Sequence, residues 1–445
     1  MELQGKNIVV IGLAKTGLAT VEFLLARGAR VTATDMNPEA LAAAAPPGLK
    51  TAPYDPETVL RDAELVVPSP GVPPVDPILT AAVAKDIPIM SELELAGRFL
   101  RIPMVAVTGT NGKTTTTSLI GHILARCGRK VFVGGNIGAP LIGYVGGPQS
   151  DDWAVIEVSS FQLQWSELLH PAVAVLLNVT VDHLDYHHTF IAYRVAKERL
   201  FTNQTAADTT ILNGDDPGTK ALLRRLGTRI LRFSSTSPVI PGMYAENDTL
   251  LHVSPEGEKE TYPRSLVKLP GNHNLENVMA AVLAARCCGC DPEGVAAAVA
   301  SFAGIPHRLE YVGERRGVSF YDDSKGTNVD AVFRALATFT APVVLLMGGR
   351  DKAGDFRPLI SVLKEKAKRL VLFGEARETI GAVIGGIVPT ESCPTLREGI
   401  ATAAAAAAPG DVVLLSPGCA SFDEFRDYKA RGRFFQEQVK ALAHD

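Results

Sequence analysis

The chain has 445 residues and a formal net charge of −4. That length accommodates about two to four domains. Neither the charge nor any Lys/Arg-rich run suits nucleic acid as the main partner, and no stretch approaches the ~20 apolar residues that would insert in a membrane.

In chain order, "NIVVIG" at 7–12 reads as a strand that the sequence enters at once, without a leader. "GLATVEFLLARG" at 17–28 reads as a helix stopped by Gly28, "RVTATD" as the next strand, and "ELVVPSPGVPP" at 64–74 as a strand running into a Pro/Gly loop. A second unit opens with "IPMVAVTGTNGKTTTTSLIGHILARCG", a strand, a loop and a helix, and continues through the strands "WAVIEVSS" and "AVAVLLNVT". It closes on a helix over 274–290 and an Ala-rich helix ending near Phe302. A third unit carries the strands "VSFYDDS", "PVVLLMGG", "RLVLFG" and "DVVLLSPG", with a helix over the alanine run at 401–408. Strands alternating with helices predict an α/β protein with mostly parallel sheets in three domains, at 1–92, 93–303 and 304–445. The six cysteines are scattered, as in a reduced, cytoplasmic protein. Cys287, Cys288 and Cys290 lack the second ligand pair that a zinc site needs and read as structural thiols.

Four stretches carry chemistry. "VTGTNGKT" at 107–114 has Val107 where the strict phosphate-loop pattern has glycine, yet it sits between a strand and a helix. Backbone N–H groups at a helix start bind phosphate, Lys113 adds a positive charge, and Thr114 is placed to ligate Mg²⁺. Glu157 interrupts an apolar strand, where a lone carboxylate is costly unless a cation pairs it. "NVTVDHLDYHH" offers Asp182, His183, Asp185, His187 and His188 as ligands just past another strand. "GLAKTG" at 12–17, followed by Asp35, is close to a dinucleotide fingerprint, but Ala14 puts a methyl where a pyrophosphate would approach.

"TGTNGKT", "EVSSFQL", "NVTVDHLDYH", "AKERLF", "GNHNLENVMAA", "PHRLE", "DDSKGTN" and "SPGCASFDEF" occur in this order along the chain. Together they resemble the Mur ligases, in particular the branch that adds D-glutamate, over essentially the whole sequence. The resemblance implies a Rossmann-like UDP-binding domain, a central P-loop ATPase and a C-terminal Rossmann-like domain. It implies that ATP phosphorylates the L-alanyl carboxylate of UDP-N-acetylmuramoyl-L-alanine and that D-glutamate's amine displaces the phosphate. The resemblance thus implies a step of peptidoglycan precursor synthesis, and hence of cell shape and division, and the enzyme is expected to be a cytoplasmic monomer.

By position, the resemblance places Gly109, Thr110, Asn111, Gly112, Lys113, Thr114 and Thr115 on ATP, with Asn277 and Arg308 at its adenine and phosphates and Asp323 at its ribose. Thr114 and Glu157 would hold one Mg²⁺, and His183 with a carbamylated Lys197 a second; Lys113, His183 and Lys197 are then the catalytic set. Thr16, Asp35, Ser69, Asn136, Ser159 and Gln162 would meet the UDP-substrate. Thr327, Lys352 and Ser421 would take the carboxylates of D-glutamate, with Tyr428 acting through its backbone N–H where the family has Phe. Lys15 and Asn37 depart from Leu and Arg of a related ligase near the expected uracil and diphosphate.

The residues around Lys197 agree with an inward-facing lysine. Phe190, Tyr193, Lys197, Leu200 and Phe201 form one helical stripe, and Arg194 and Glu198 read as a solvated pair beside it. Rival readings are a sister ligase with another acceptor, including a folylpolyglutamate-type enzyme, a nicotinamide dehydrogenase built on 1–92, and a nucleotide-driven switch or transport ATPase.

Overall fold

Short runs of Val, Ile and Leu bounded by Gly, Pro or Asp become parallel strands covered on both faces. A computed structural model describes residues 1–37, 49–223, 225–351 and 354–442, and in it such runs build three sheets. The chain separates into two compact units, Met1–Leu266 with Glu276–Ser301, and Val267–Leu275 with Phe302–Asp445; the first holds two of the sheets.

The first sheet is parallel, in the order β3 (Lys50–Thr51), β2 (Arg30–Thr34), β1 (Asn7–Ile11), β4 (Leu65–Pro68). Its Lys15–Ala26 helix opens at Lys15 rather than at Gly17, and Gly28 ends it at a φ of +75°. Gly17 lies where a Cβ would stand 1.8 Å from the Gly12 carbonyl oxygen, so it is glycine because the helix starts against the turn after β1.

The second sheet has nine strands. β5 (Met104–Thr108) lies between β7 (Trp153–Glu157) and β8 (Val173–Leu176); β6 (Val131–Gly135) forms one edge beyond β7. β9 (Thr209–Asn213), β10 (Arg229–Ser234) and β11 (Gly242–Glu246) continue in parallel beyond β8, and β12 (Thr249–Val253) and β13 (Lys259–Pro263) finish as an antiparallel meander. The five strands from β9 onward were not among those read from the sequence. In β12 and β13 apolar and polar residues share one short hairpin, turned at Gly257 with a φ of +90°, so neither strand shows an apolar run.

The third sheet has the order β14 (Glu310–Arg315), β15 (Val318–Asp322), β19 (Val412–Gly418), β16 (Val343–Gly348), β17 (Ala367–Phe373), β18 (Thr390–Cys393). Only the β14–β15 pair is antiparallel. The alanine run at 401–408 lies in the Leu396–Ala406 helix up to Ala406, with Ala407 and Ala408 past its end; the Thr395 side chain starts that helix. All six cysteines are free, and Cys288, Cys290, Cys393 and Cys419 are buried. Among the described residues no helix is long and apolar enough to cross a membrane.

Candidate active site

β5 ends at Thr108, and residues 109–112 turn into the Lys113–Arg126 helix. Gly112 has a φ of +87°, and a Cβ there would lie 2.2 Å from Asn277 Oδ1. Both the backbone and the neighbour therefore require glycine. Val107, which breaks the strict pattern, is still inside β5, buried and in register with Glu157 of β7.

Neighbouring segments grip the loop. Asn111 N donates to Asn178 Oδ1 at 2.8 Å, and Asn178 Nδ2 returns a bond to Asn111 O at 3.1 Å. Thr180 N and the Tyr193 hydroxyl both donate to Thr110 Oγ1 at 3.0 Å. Asn178, Thr180 and Tyr193 thus shape the loop, although sequence reasoning gave them no role there. Their only signal is position, past β8 and on the apolar stripe. Thr116 Oγ1 donates to Asn277 Oδ1 at 3.3 Å, which puts Asn277 against the first turn of the loop's helix.

Two lysines converge on the loop. Lys113 Nζ donates to the carbonyl oxygens of Gly109 at 2.9 Å and Thr110 at 2.8 Å. Lys197, 1% exposed on the Phe190–Glu198 helix, donates to the same Gly109 oxygen at 2.7 Å, with Nζ 4.5 Å from the centre of the Tyr193 ring. Burial, and then the positive charge of Lys113, hold the Lys197 ammonium well below the usual lysine range; the Asp182 and Glu157 carboxylates oppose this less strongly. The stripe is as expected at Tyr193, Lys197, Leu200 and Phe201, all buried. The solvated pair beside it is not. Glu198 is buried, 3.3 Å from Arg194 Nε and 2.8 Å from Arg225 Nη1, because a second arginine from another segment covers it.

Glu157 closes β7 beside the loop. Its Oε1 accepts from Asn136 Nδ2 at 2.8 Å, while its buried Oε2 has no hydrogen-bond partner among the described residues. The hydroxyl of Thr115 is likewise buried without one. An anionic oxygen left over at a strand end suits a divalent cation, which prefers such ligands. Thr114 is half-buried in the first helical turn. His183 has a left-handed backbone at φ +53°, its ring centroid 4.7 Å from that of Phe161, and Nε2 3.7 Å from Asp182 Oδ2. His187 turns inward instead, bonding Ser160 Oγ at 3.0 Å, and His188 is exposed; the side chain of Asp185 lies outside the described residues.

The residues expected at the UDP-substrate occupy two places in this unit. Ser69 Oγ donates to the Gly12 oxygen at 2.8 Å, Asp35 accepts from the backbone N–H of Leu13 at 2.7 Å and of Asn37 at 2.8 Å, and Thr16 is half-buried in the helix that follows. Asp35 therefore braces the turn after β1. Lys15 Nζ donates to the Gly138 carbonyl. Asn136 stands by Glu157, and Ser159 and Gln162 exchange bonds as the cap of the Ser160–Gln164 helix.

In the second unit, Asp323 follows β15. Its carboxylate accepts from Ser416 Oγ at 2.8 Å and Leu309 N at 3.3 Å, and burial pushes it up to about 7 against the pull of Arg308 and these bonds. Arg308 is half-buried, with its Nε unpaired among the described residues. His307, Glu310 and Asp322 bring ligand atoms within 4.8 Å of one another. Hydrogen bonds already use this cluster: His307 Nδ1 is 2.7 Å from Asp322 Oδ2, and Gln436 Nε2 donates to Glu310 at 3.0 Å and Asp322 at 2.9 Å. Thr327 is half-buried, Ser421 is buried, and Tyr428 opens the Tyr428–Ala441 helix behind the cap Asp427. Lys352 lies outside the described residues.

Family profiles described as "Mur ligase middle domain", "Mur ligase, glutamate ligase domain" and "Mur ligase MurD-like, N-terminal domain" match residues 107–285, 307–419 and 6–91. The sequence is 55% identical over 451 residues to the "UDP-N-acetylmuramoylalanine--D-glutamate ligase" of Syntrophus aciditrophicus (strain SB), covering 100% of this chain and 99% of that protein. It is 44% identical to the protein of the same name from Geobacter metallireducens, covering 99% of each. Similar solved structures include a pseudomurein peptide ligase type C from Methanothermus fervidus, with a TM-score of 0.63, 17% identity and coverage of 99% of this chain and 100% of that one. Another is the MurF ligase of Thermotoga maritima in complex with ADP, with a TM-score of 0.62, 18% identity and coverage of 99% and 97%. At these identities the structural likeness concerns the fold.

Proposed function

The chain belongs to the Mur ligase family, and we propose that it is an ATP-dependent ligase joining D-glutamate to UDP-N-acetylmuramoyl-L-alanine, a step of peptidoglycan precursor synthesis. A carboxylate does not react with an amine in water at useful rates, so it is first given a leaving group. The L-alanyl carboxylate attacks the γ-phosphorus of ATP and ADP departs. The amine of D-glutamate then attacks the acyl phosphate, the amide forms, phosphate leaves, and the former ammonium gives up its protons. The full-length likeness to D-glutamate ligases carries this reading.

In our reading, backbone N–H groups of 109–115 hold the phosphates, and Lys113 exchanges its carbonyl partners for the γ-phosphate, lowering the repulsion between two anions. Glu157 and Thr114 hold Mg²⁺, for which the leftover Glu157 oxygen is suited; when bound, the ion neutralises phosphate charge. His183 and Lys197 hold a second ion, with Lys197 carbamylated. The neutral amine that burial favours adds CO₂ and loses a proton, giving a carboxylate. Asn277 and Arg308 meet adenine and phosphates, Asp323 the ribose, and Thr327, Lys352, Ser421 and the Tyr428 N–H the amino acid. Thr16, Asp35, Ser69, Asn136, Ser159 and Gln162 serve the UDP-substrate. The domains divide at 1–92, 93–303 and 304–445, and the enzyme works as a monomer in the cytoplasm, where ATP is supplied and six free thiols stay reduced.

Phosphate release from ATP with UDP-N-acetylmuramoyl-L-alanine, run against a panel of L- and D-amino acids, tests this. Stimulation by D-glutamate is expected. Stimulation by another amino acid instead identifies a sister ligase, and release indifferent to every amino acid rejects ligase chemistry.

A further inference from the structure

Among the described residues, Arg431 is the largest side chain with no solvent exposure, at 0%. It lies on the first turns of the Tyr428–Ala441 helix. A buried guanidinium ordinarily faces a carboxylate. This one donates to three main-chain oxygens instead: Nη1 to Ala420 at 3.1 Å, and Nη2 to Ser324 at 2.9 Å and Cys419 at 3.0 Å. The nearby acids bond elsewhere: Asp423, the one that acts on Arg431 most strongly, accepts from Glu375 N at 3.1 Å, Asp322 is engaged by His307 and Gln436, and Asp323 by Ser416 and Leu309. The charge is thus spent on holding loops.

Those two loops leave adjacent parallel strands, β15 and β19, at their C-terminal ends, where open α/β sheets bind ligands. β19 lies between β15 and β16. Ser324 follows β15, and Cys419 and Ala420 follow β19. The segment after β16 joins through Ala420, which exchanges bonds with Arg350 at 2.9 Å in both directions. Gly349 lets this segment come close, since a Cβ there would stand 2.2 Å from the Ala420 oxygen and 3.0 Å from Arg431 Nη1. Thr327 lies on the first loop and Ser421 on the second.

We propose that Arg431 is the positioning residue of the acceptor amino-acid site, fixing the spacing of the two loops that bear Thr327 and Ser421. This rests on the D-glutamate reading above. Asp323 is held separately, by Ser416 and Leu309, so the nucleotide side of the same unit is less dependent on Arg431. Misplacement on the order of 1 Å costs up to about a hundredfold where two charged ends must be met at once.

The test compares Arg431→Met and Arg431→Lys in the full chain, reading KM for each substrate, kcat and the thermal midpoint. Arg431→Met is expected to raise the KM for D-glutamate about tenfold or more while that for ATP stays within about twofold. Arg431→Lys should recover part of the loss, because one ammonium reaches fewer of the three oxygens. Equal rises in both KM values, or a lowered midpoint with unchanged constants, overturn the proposal. Should the Met variant fail to fold, the Lys variant carries the same comparison. Amide hydrogen exchange at 323–327 and 418–422, expected to quicken in Arg431→Lys while β15 and β19 stay protected, reads the pinning without substrate. Unchanged exchange overturns the role of Arg431. A wild-type enzyme that ignores D-glutamate overturns only the acceptor reading, and the KM comparison then passes to the amino acid that the panel selects.

Discussion

Lys113 and Lys197 donate to one oxygen, the carbonyl of Gly109, at 2.9 and 2.7 Å. Two ammonium groups on one acceptor repel each other, and Lys197 is the one buried, so it is Lys197 that is driven toward the neutral form. Lys113 is half-buried and keeps a route to a phosphate.

Lys113→Ala is expected to abolish turnover with little change in thermal midpoint. The lysine sits at a helix start, an end that favours anions, and it donates to the Gly109 and Thr110 carbonyls of its own loop, contacts that tie together only neighbouring residues. Steady-state assay with circular dichroism checks both halves. Near-normal ligation would remove Lys113 from the phosphate site.

Glu92, the buried first residue of the Glu92–Gly97 helix, accepts from Ile142 N at 2.7 Å, and is pushed up by burial from 4.5 to about 7. Its folded value lies above its unfolded one. The associated stability is therefore complete below about pH 4 and is lost as pH rises through about 7. Asp323 contributes a slope of the same sign in the second unit. Glu92→Gln should raise the thermal midpoint at pH 8, by an amount equivalent to on the order of 1–3 kcal/mol, and leave it nearly unchanged at pH 4. Equal effects at the two pH values would mean that the amide, not the lost charge, is responsible.

How far the sequence carried this reading depends on how local each signal is. The loop at 109–113, Glu157 and the Lys197 stripe could be found because a turn, a broken apolar run and a helical period are written in neighbouring residues. All four strands expected in the third unit are present, since parallel strands covered on both faces are continuous apolar runs. What escaped depends on distant partners. Arg431 looks like one more charge in "KARGRFF" until Ser324 and Ala420 are folded onto it. Glu198 looks solvated until Arg225 arrives. Tyr193 was placed on its stripe, but its hydroxyl's role at Thr110 belongs to the tertiary structure.

Ser421→Ala and Lys352→Ala should each raise the KM for D-glutamate about tenfold to a hundredfold, the scale of one lost charge-assisted bond of about 1.5–3 kcal/mol. The KM for ATP should move far less. Ser421 is buried at the C-terminal end of β19, with its carbonyl accepting from Phe425 N at 2.8 Å, so the alanine variant keeps its backbone in place. Unchanged amino-acid kinetics in both variants would count against D-glutamate as the acceptor.

Lys197 offers the most specific chemistry to check. A lysine in an apolar stripe can snorkel, lose its proton or gain a partner. Snorkelling is excluded by its 1% exposure, and among the described residues it donates to one carbonyl and lies over the face of Tyr193, neither of them an anion. Burial and Lys113 therefore leave a neutral amine as the favoured form. Such an amine adds CO₂, and the carbamate that results carries a negative charge, which Lys113 would now attract rather than repel. One modification thus relieves the contest for the Gly109 oxygen and supplies an oxygen ligand of the kind that Mg²⁺ prefers. Lys197→Ala should lose nearly all activity, and a small carboxylic acid such as acetate should restore part of it by occupying the vacated space. Carbon-13 NMR of wild-type enzyme equilibrated with labelled bicarbonate should show a carbamate resonance that Lys197→Ala lacks. Near-normal activity of the variant without added acid, or identical spectra from the two proteins, would show that Lys197 acts as a plain amine.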